Sequence, residues 1–181
     1  HGETEWSRTL RHTGRTDVPL TPFGEHQAAA LAPRMTSWHP VLVLSSPLVR
    51  ARRTAELAGL EPEIDDDLLE WDYGAFEGRT TDDIRAELGD PGWTVWSATS
   101  GLGESAADVG VRAGRVLDRV RPLVEAGEDV ALFAHAHLLR ILSAVWLDLP
   151  AERGVSFVLE PTGAGVLGYE RDTPALRAWN A

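Results

Sequence analysis

The sequence contains neither cysteine nor lysine, since all 17 of its basic residues are arginines. Without cysteine, the chain has no disulfide framework and no thiolate nucleophile. No apolar run reaches the length that crosses a membrane, and no signal peptide is visible. These absences are compatible with a reducing cytoplasm, which is the location we predict. The chemistry must therefore come from side chains other than thiols.

Acidic residues outnumber basic ones, 28 against 17, and the net charge is −11. Such a field repels nucleic acid and anionic lipid, so we predict neither nucleic acid nor membrane as a partner. A small anion binds only where arginines cluster, and the densest cluster is Arg50, Arg52 and Arg53. A solvated helix face is the usual interpretation of such a run, and it stays open here.

Helical and strand-like segments alternate along a chain of 181 residues, which is long enough for one domain with a sizeable core. The predicted strands are residues 41–44, 130–134, 155–159, 166–169 and 176–179. N-cap residues at Thr21, Ser46 and Ser105 predict helix starts, and Pro33 is predicted to close the first helical region. This order predicts a single α/β domain over 1–181 with a mainly parallel sheet. Such a sheet needs a strand leading into His1, which we expect upstream of it.

Four chemically competent side chains stand where strands or loops end: His1, Arg50, Glu70 and His135. In open α/β sheets, ligands bind at the carboxyl ends of the strands. A neutral imidazole is a competent nucleophile near pH 7, and an arginine with a second imidazole can hold a phosphoryl group. Glu70, in an apolar and aromatic stretch, is suited to protonate a leaving oxygen. The residues thus favour phosphoryl transfer through a histidine, without a metal.

Each of these residues also has a plainer interpretation. Glu70 alone is as compatible with a surface carboxylate in an acidic loop, and the remaining histidines, His12, His26 and His39, are expected to be structural or exposed. The His135-Ala136-His137 run is also compatible with a metal pair, although no third and fourth ligand stands at a convincing spacing. From the residues alone, these alternatives stay open.

The motifs together resemble the histidine phosphatase superfamily, also called the phosphoglycerate mutase-like family. His1 to Ser7 match the signature R-H-G-[EQ]-[TS]-x-W-[NS] from its histidine onward. The other matching blocks are Arg11 to Asp17, Leu20 to Ala28, Ser45 to Ala55, Leu68 to Gly78, Gly103 to Ser105 and Ala134 to Arg140. They follow the family's order over essentially the whole chain.

The resemblance implies a three-layer α/β/α sandwich and a phosphohistidine intermediate on His1. It also implies that Arg50 and His135 hold the phosphoryl group and that Glu70 donates the proton. The substrate-side positions that it implies are Ser7, Thr13, Gly14, Tyr73 and the backbone of Ala136. It implies no metal and no cofactor. The expected partner is a phosphorylated small molecule, such as a sugar phosphate, and a homodimer is possible.

Two departures from the family pattern stand out. The arginine that precedes the first histidine in the family is expected upstream of His1. Ala136 stands where most members have glycine, which predicts a slightly altered loop and a pocket narrowed by the methyl group. Residues 79–104 contain only Arg79 and Arg85 as basic residues, which favours a phosphatase over a phosphoglycerate mutase. A non-catalytic member that binds phosphorylated ligands is the alternative of another class. Three segments are similar to those of a subgroup of bacterial acid phosphatases and of fungal sedoheptulose-bisphosphatase-like proteins: Glu70 to Gly74, Phe133 to His137 and Trp146-Leu147.

Overall fold

The strands form two separate sheets in the computed structural model, which describes residues 1–181 except for the side chain of Thr36. Strands β1 (Leu42–Ser45), β2 (Glu63–Ile64) and β3 (Val130–Phe133) form a parallel sheet in the order β2-β1-β3. Strands β4 (Val166–Glu170) and β5 (Thr173–Ala178) form an antiparallel hairpin. Because β1 and β3 are parallel, their carboxyl ends lie at the same edge.

The described residues form seven α-helices. They are α1 (Glu5–Arg8), α2 (Pro22–Ala29), α3 (Ala32–Trp38), α4 (Val49–Leu57), α5 (Thr81–Leu88), α6 (Ala106–Glu125) and α7 (Ala136–Trp146). The predicted caps at Thr21 and Ser105 are confirmed, since their side chains accept hydrogen bonds from the backbone N–H groups of Gly24 and Asp108. Short 3₁₀ turns at Asp66–Leu68, Gly74–Phe76 and Ala151–Ser156 complete the regular structure.

Two groups of helices cover the parallel sheet. Helices α6 and α7 pack on each other and α6 contacts β3, whereas α4 contacts β1 and β3 and carries α2. The main core lies with α6 and α7 and includes Leu44, Trp71, Val109 and Leu138, all almost completely buried. The predicted α/β fold with a parallel central sheet is confirmed. Among the described residues, no helix has the length and apolar character to cross a membrane.

Two sequence-based predictions about the elements are wrong. Residues 155–159 do not form a strand, because the carbonyl groups of Gly154 and Val155 accept hydrogen bonds from the Arg140 guanidinium, and the chain there makes a 3₁₀ turn. Pro33 does not end a helical region but lies in the first turn of α3. A proline fits there because the first-turn N–H has no partner within the helix.

An apolar cavity of about 360 Å³ separates β3 from the β4–β5 hairpin. Leu132, Trp146 and Leu167 are among its lining residues, and His1 lies at its border. β3 pairs with β1 along one edge only, and within the described part of the chain no strand pairing joins the two sheets.

Candidate active site

The two predicted histidines meet at the carboxyl edge of the parallel sheet. His135 follows β3 directly and is almost completely buried. The ring centroids of His1 and His135 lie 5.2 Å apart, with the ring planes inclined by 62°. The two imidazoles therefore face each other edge to face, close enough to act on one phosphoryl group.

A hydrogen bond to the backbone sets the protonation of the His1 ring. Nδ1 of His1 lies 2.8 Å from the carbonyl oxygen of Gly2. Because a carbonyl oxygen only accepts, Nδ1 carries the proton of a neutral ring, and Nε2 then keeps its lone pair. Gly2 is needed here, since a Cβ would lie 2.3 Å from the carbonyl oxygen of Gly24. Nε2 of His1 is the atom available for nucleophilic attack.

His135 is fixed as the opposite tautomer. Nε of Arg50, which can only donate, lies 3.2 Å from Nδ1 of His135, so the proton of a neutral ring is on Nε2, which donates to Oγ of Ser46 at 2.8 Å. Burial, and then the charge of Arg50, lower the pKa of His135 well below its usual value of 6.5. The ring is therefore neutral near pH 7.

Arg50 lies in the first turn of α4, after β1, and is fully buried beside His135. Its Nη1 donates to the carbonyl of Thr16 at 2.9 Å, and its Nη2 donates to those of Thr13 and Gly14 at 3.0 and 2.9 Å. Burial lowers its pKa, and Glu70 partly offsets this effect. The loop 13–16 therefore wraps over the guanidinium, and its carbonyls take most of the N–H donors that were expected to hold a phosphoryl group.

Glu70 reaches the same edge and meets the N-terminus of α7. Its side chain is only 4% exposed. Oε1 accepts from the N–H groups of Trp71 and Leu138, both at 2.9 Å, and Oε2 accepts from that of His137 at 3.1 Å. A helix N-terminus favours negative charge. The interpretation of Glu70 as a surface carboxylate is wrong, because the group is buried and held by the backbone.

Tyr73 and His137 form a neutral pair beside Glu70. The Tyr73 hydroxyl lies 2.6 Å from Nδ1 of His137. Burial raises the pKa of Tyr73 well above 10 and lowers the pKa of His137 to about 3. His137 thus turns toward a phenol, and the described residues contain no group of three or more side chains of metal-ligand type that would complete a metal pair with His135.

A cleft of about 570 Å³ opens from the two imidazoles to the surface. Its inner end is lined by His1, Glu70 and His135, and its outer end by residues that include Arg11, His12, Thr81 and Arg85. The volume exceeds that of a phosphate group, so the outer end has room for the alcohol part of an ester.

Most of the predicted substrate-side residues line this cleft: Ser7, Thr13, Tyr73 and Ala136. The Ser7 hydroxyl is part of the capping box of α1, and that of Thr13 donates to the Arg11 carbonyl. Gly14 does not line it, since its N–H donates to the Glu77 carboxylate and its buried backbone leaves no room for a Cβ. Gly14 therefore shapes the loop rather than the cleft.

The backbone at Ala136 shows no strain that would alter the loop, although the replacement of glycine predicted a slightly altered loop. It is the first residue of α7 and has no left-handed φ, so alanine is unstrained there. Sequence reasoning missed Ser46, His12 and His137 as parts of the site. Ser46 stands in the block after β1, and that position was the available signal.

The side chains at this edge of the sheet are typical of enzymes that transfer phosphoryl groups through a histidine. The chain belongs to the histidine phosphatase superfamily (branch 1), whose profile matches residues 1–181. The predicted resemblance is thereby confirmed.

Individual relatives agree with this assignment. The chain is 38% identical to an acid phosphatase of Mycobacterium tuberculosis, over 94% of this chain and 84% of the relative. It is 32% identical to the sedoheptulose 1,7-bisphosphatase of Saccharomyces cerevisiae, over 96% and 74%. The solved structure of an open reading frame product of Mycobacterium tuberculosis superposes with a TM-score of 0.91 at 35% identity and covers 99% of this chain and 93% of that one. Phosphoglycerate mutases also occur among the relatives.

Proposed function

We propose that this protein hydrolyses small phosphate monoesters, such as sugar phosphates, through a phosphohistidine on His1 and without a metal ion. Membership in the histidine phosphatase superfamily and the phosphatase relatives support the activity. One observation carries the choice of nucleophile. The Nδ1 proton of His1 is engaged by the Gly2 carbonyl, which leaves the Nε2 lone pair beside His135.

In the first step, Nε2 of His1 forms a bond to phosphorus while the bond from phosphorus to the ester oxygen breaks. In the enzyme–substrate complex the Glu70 carboxyl group carries a proton on Oε2, which accepts only one backbone N–H, and the leaving oxygen takes this proton and departs as an alcohol. Arg50 supplies positive charge beside the transferred phosphoryl oxygens, and the Nε2–H of His135 exchanges the Ser46 hydroxyl for one of these oxygens. This step leaves a phosphohistidine and an ionised Glu70.

In the second step, Glu70 takes a proton from a water molecule, whose oxygen attacks the phosphorus. The bond between Nε2 and phosphorus breaks and orthophosphate leaves. His1 returns with its lone pair and Glu70 with its proton, so the cycle is closed. The substrate-side set is Ser7, Thr13, Tyr73 and the backbone of Ala136, with Gly14 as a shaping residue.

A phosphoglycerate mutase is the second candidate, because mutases occur among the relatives. A mutase needs basic residues that hold a carboxylate or a second phosphate. In this chain, Arg79 is paired with Glu87, and Arg85 donates to the Trp93 carbonyl. These contacts favour the phosphatase. We further propose a cytoplasmic location and a phosphorylated small molecule as the partner.

A phosphate-release screen tests the proposal, with sugar phosphates, bisphosphates and phosphoglycerates at several pH values. We expect release with at least one ester, no loss of activity in EDTA, and an acid-labile phosphoenzyme. Mutase turnover that exceeds phosphate release in the same preparation contradicts the phosphatase. Binding of these esters without any turnover identifies a non-catalytic member instead.

A further inference from the structure

The backbone around Glu70 has little regular structure of its own. Residues 65–80 contain only the two short turns Asp66–Leu68 and Gly74–Phe76. A catalytic acid has to be placed to within a fraction of an ångström to protonate a leaving oxygen. Within the described residues, the carbonyl groups of Asp67, Leu69 and Glu70 accept no backbone hydrogen bond, so a side chain must hold them.

Arg112 of α6 holds these carbonyl groups. Its side chain is 7% exposed and reaches the segment from the core. Nη1 donates to the carbonyl of Asp67 at 2.8 Å and to that of Leu69, and Nη2 donates to the carbonyl of Glu70 itself at 3.1 Å. The guanidinium thus holds the peptide groups on both sides of the Glu70 Cα, through the carbonyls of Leu69 and Glu70.

Glu104 binds Arg112 and also holds the residues that follow Glu70. Its carboxylate accepts from Nε and Nη2 of Arg112 at 2.9 and 3.1 Å, so that all five N–H groups of the arginine are used. The same carboxylate accepts from the N–H of Asp72 at 2.9 Å, and the Glu104 carbonyl accepts from the indole of Trp71 at 2.7 Å. The residues that follow Glu70 are fixed as firmly as those that precede it.

The same carboxylate also contacts the loop that wraps Arg50. Nη2 of Arg15 donates to Oε2 of Glu104 at 3.1 Å. The carbonyls of its neighbours, Gly14 and Thr16, accept from Arg50. One half-buried carboxylate therefore connects the segment of the acid with the loop around Arg50.

A buried ion pair is weak evidence for a role in stability, because desolvation offsets much of the attraction. We propose that Glu104 and Arg112 are positioning residues, which set the Glu70 carboxyl group against the N-terminus of α7 so that it meets the leaving oxygen. The proposal rests on the proposed function, in which Glu70 is the acid. It implies that a change at Arg112, which in the described part of the chain holds only the Glu70 segment and Glu104, impairs protonation of the leaving group more than binding of the phosphoryl group.

The test compares two esters that differ in their need for an acid. The alkyl ester glycerol phosphate has a poor leaving group, whereas p-nitrophenyl phosphate has a good one. Arg112→Lys keeps the charge but loses the planar fork. We expect kcat/KM for the alkyl ester to fall by about 30-fold and that for the aryl ester by less than about 3-fold. An equal loss on both esters overturns the proposal.

Arg115→Lys is the matched control, because Arg115 lies three residues further on α6 but is exposed and binds the side chain of Asp67. It is expected to change neither rate. Glu104→Gln replaces Arg112→Lys if the latter does not fold; if neither folds, the pair is a requirement of the fold and the proposal is wrong.

A double variant gives a second readout. Combined with Glu70→Gln, Arg112→Lys is expected to cause no further loss, since it acts only through the acid; additive losses contradict this. Failure of the proposed function is distinguishable, because the wild-type protein would then release no phosphate from either ester.

Discussion

The inner and outer ends of the cleft are built in different ways. At the inner end, each reacting group is held by short contacts to the backbone or to a buried side chain: His1 by Gly2, His135 by Ser46, and Glu70 by the first turn of α7. At the outer end, Arg11 is exposed and its side chain is held by one contact, to the Gly78 carbonyl. The inner end is preorganised for one reaction, whereas the outer end is free to vary with the alcohol part of the ester.

The largest expected effect comes from removing the nucleophile at the inner end. His1→Ala is expected to lower phosphate release by about 10⁴-fold or more, because no covalent intermediate can form. A phosphate-release assay on a substrate from the screen measures it. His26→Ala, on the exposed face of α2, is the control and is expected to keep full activity. Unchanged release in His1→Ala contradicts the nucleophile assignment.

Removal of the acid should have a smaller effect, and one that depends on the leaving group. Glu70→Gln is expected to lower kcat/KM for an alkyl phosphate by about 10²- to 10³-fold and for p-nitrophenyl phosphate by less than about 10-fold. Steady-state kinetics with both esters measure it. Glu77→Gln is a useful comparison, since Glu77 binds the N–H of Gly14 in the neighbouring loop and should affect both esters alike.

The buried His137, between the two ends, should appear in the pH dependence of stability. Its pKa is lowered to about 3, so between about pH 6.5 and pH 3 the unfolded chain binds a proton that the folded chain does not. The free energy of unfolding therefore decreases as the pH is lowered through this range. His137→Asn removes this group, and we expect the slope to decrease by up to about 1.4 kcal/mol per pH unit below pH 6.5. Urea unfolding at pH 7 and pH 5 measures it. An unchanged slope shows that His137 titrates normally in the folded protein.

The outer end should affect which ester is used rather than whether it reacts. Arg11→Ala is expected to change KM by about 3- to 10-fold, by an amount that differs between esters, and to leave kcat nearly unchanged. Kinetics on two or more esters from the screen measure it. Arg8→Ala is the control, because Arg8 pairs with Glu5 on the surface and does not line the cleft. A large loss of kcat in Arg11→Ala would mean that the reaction depends on the outer end as well.

The same contrast explains what the sequence could predict. The place of His135 at the carboxyl edge was predictable, because an apolar run identifies the strand before it and parallel strands end at one edge. The place of His1 beside it was expected from the resemblance to the family, since the sequence starts at His1 and so shows no apolar run before it. The hydrogen bonds of Arg112 and Glu104 to the Glu70 segment could not be predicted, because bonds from one side chain to carbonyl groups distant in sequence depend on how α6 packs. The contacts of Arg50 with the loop carbonyls were missed for the same reason, as they follow from a loop conformation without regular hydrogen bonding.

The smallest expected effect concerns the one inner position that departs from its family. Ala136 begins α7 with a helical backbone and lines the cleft. Ala136→Gly therefore removes a methyl group without releasing strain. It is expected to change kcat/KM by less than about 3-fold and to destabilise the fold by less than about 0.5–1 kcal/mol, the difference between these residues in a helix interior, because Ala136 is the first helical residue. Kinetics and urea unfolding measure both quantities. A tenfold gain restricted to bulky esters would show instead that the methyl group narrows the cleft, and that the inner end also selects the ester.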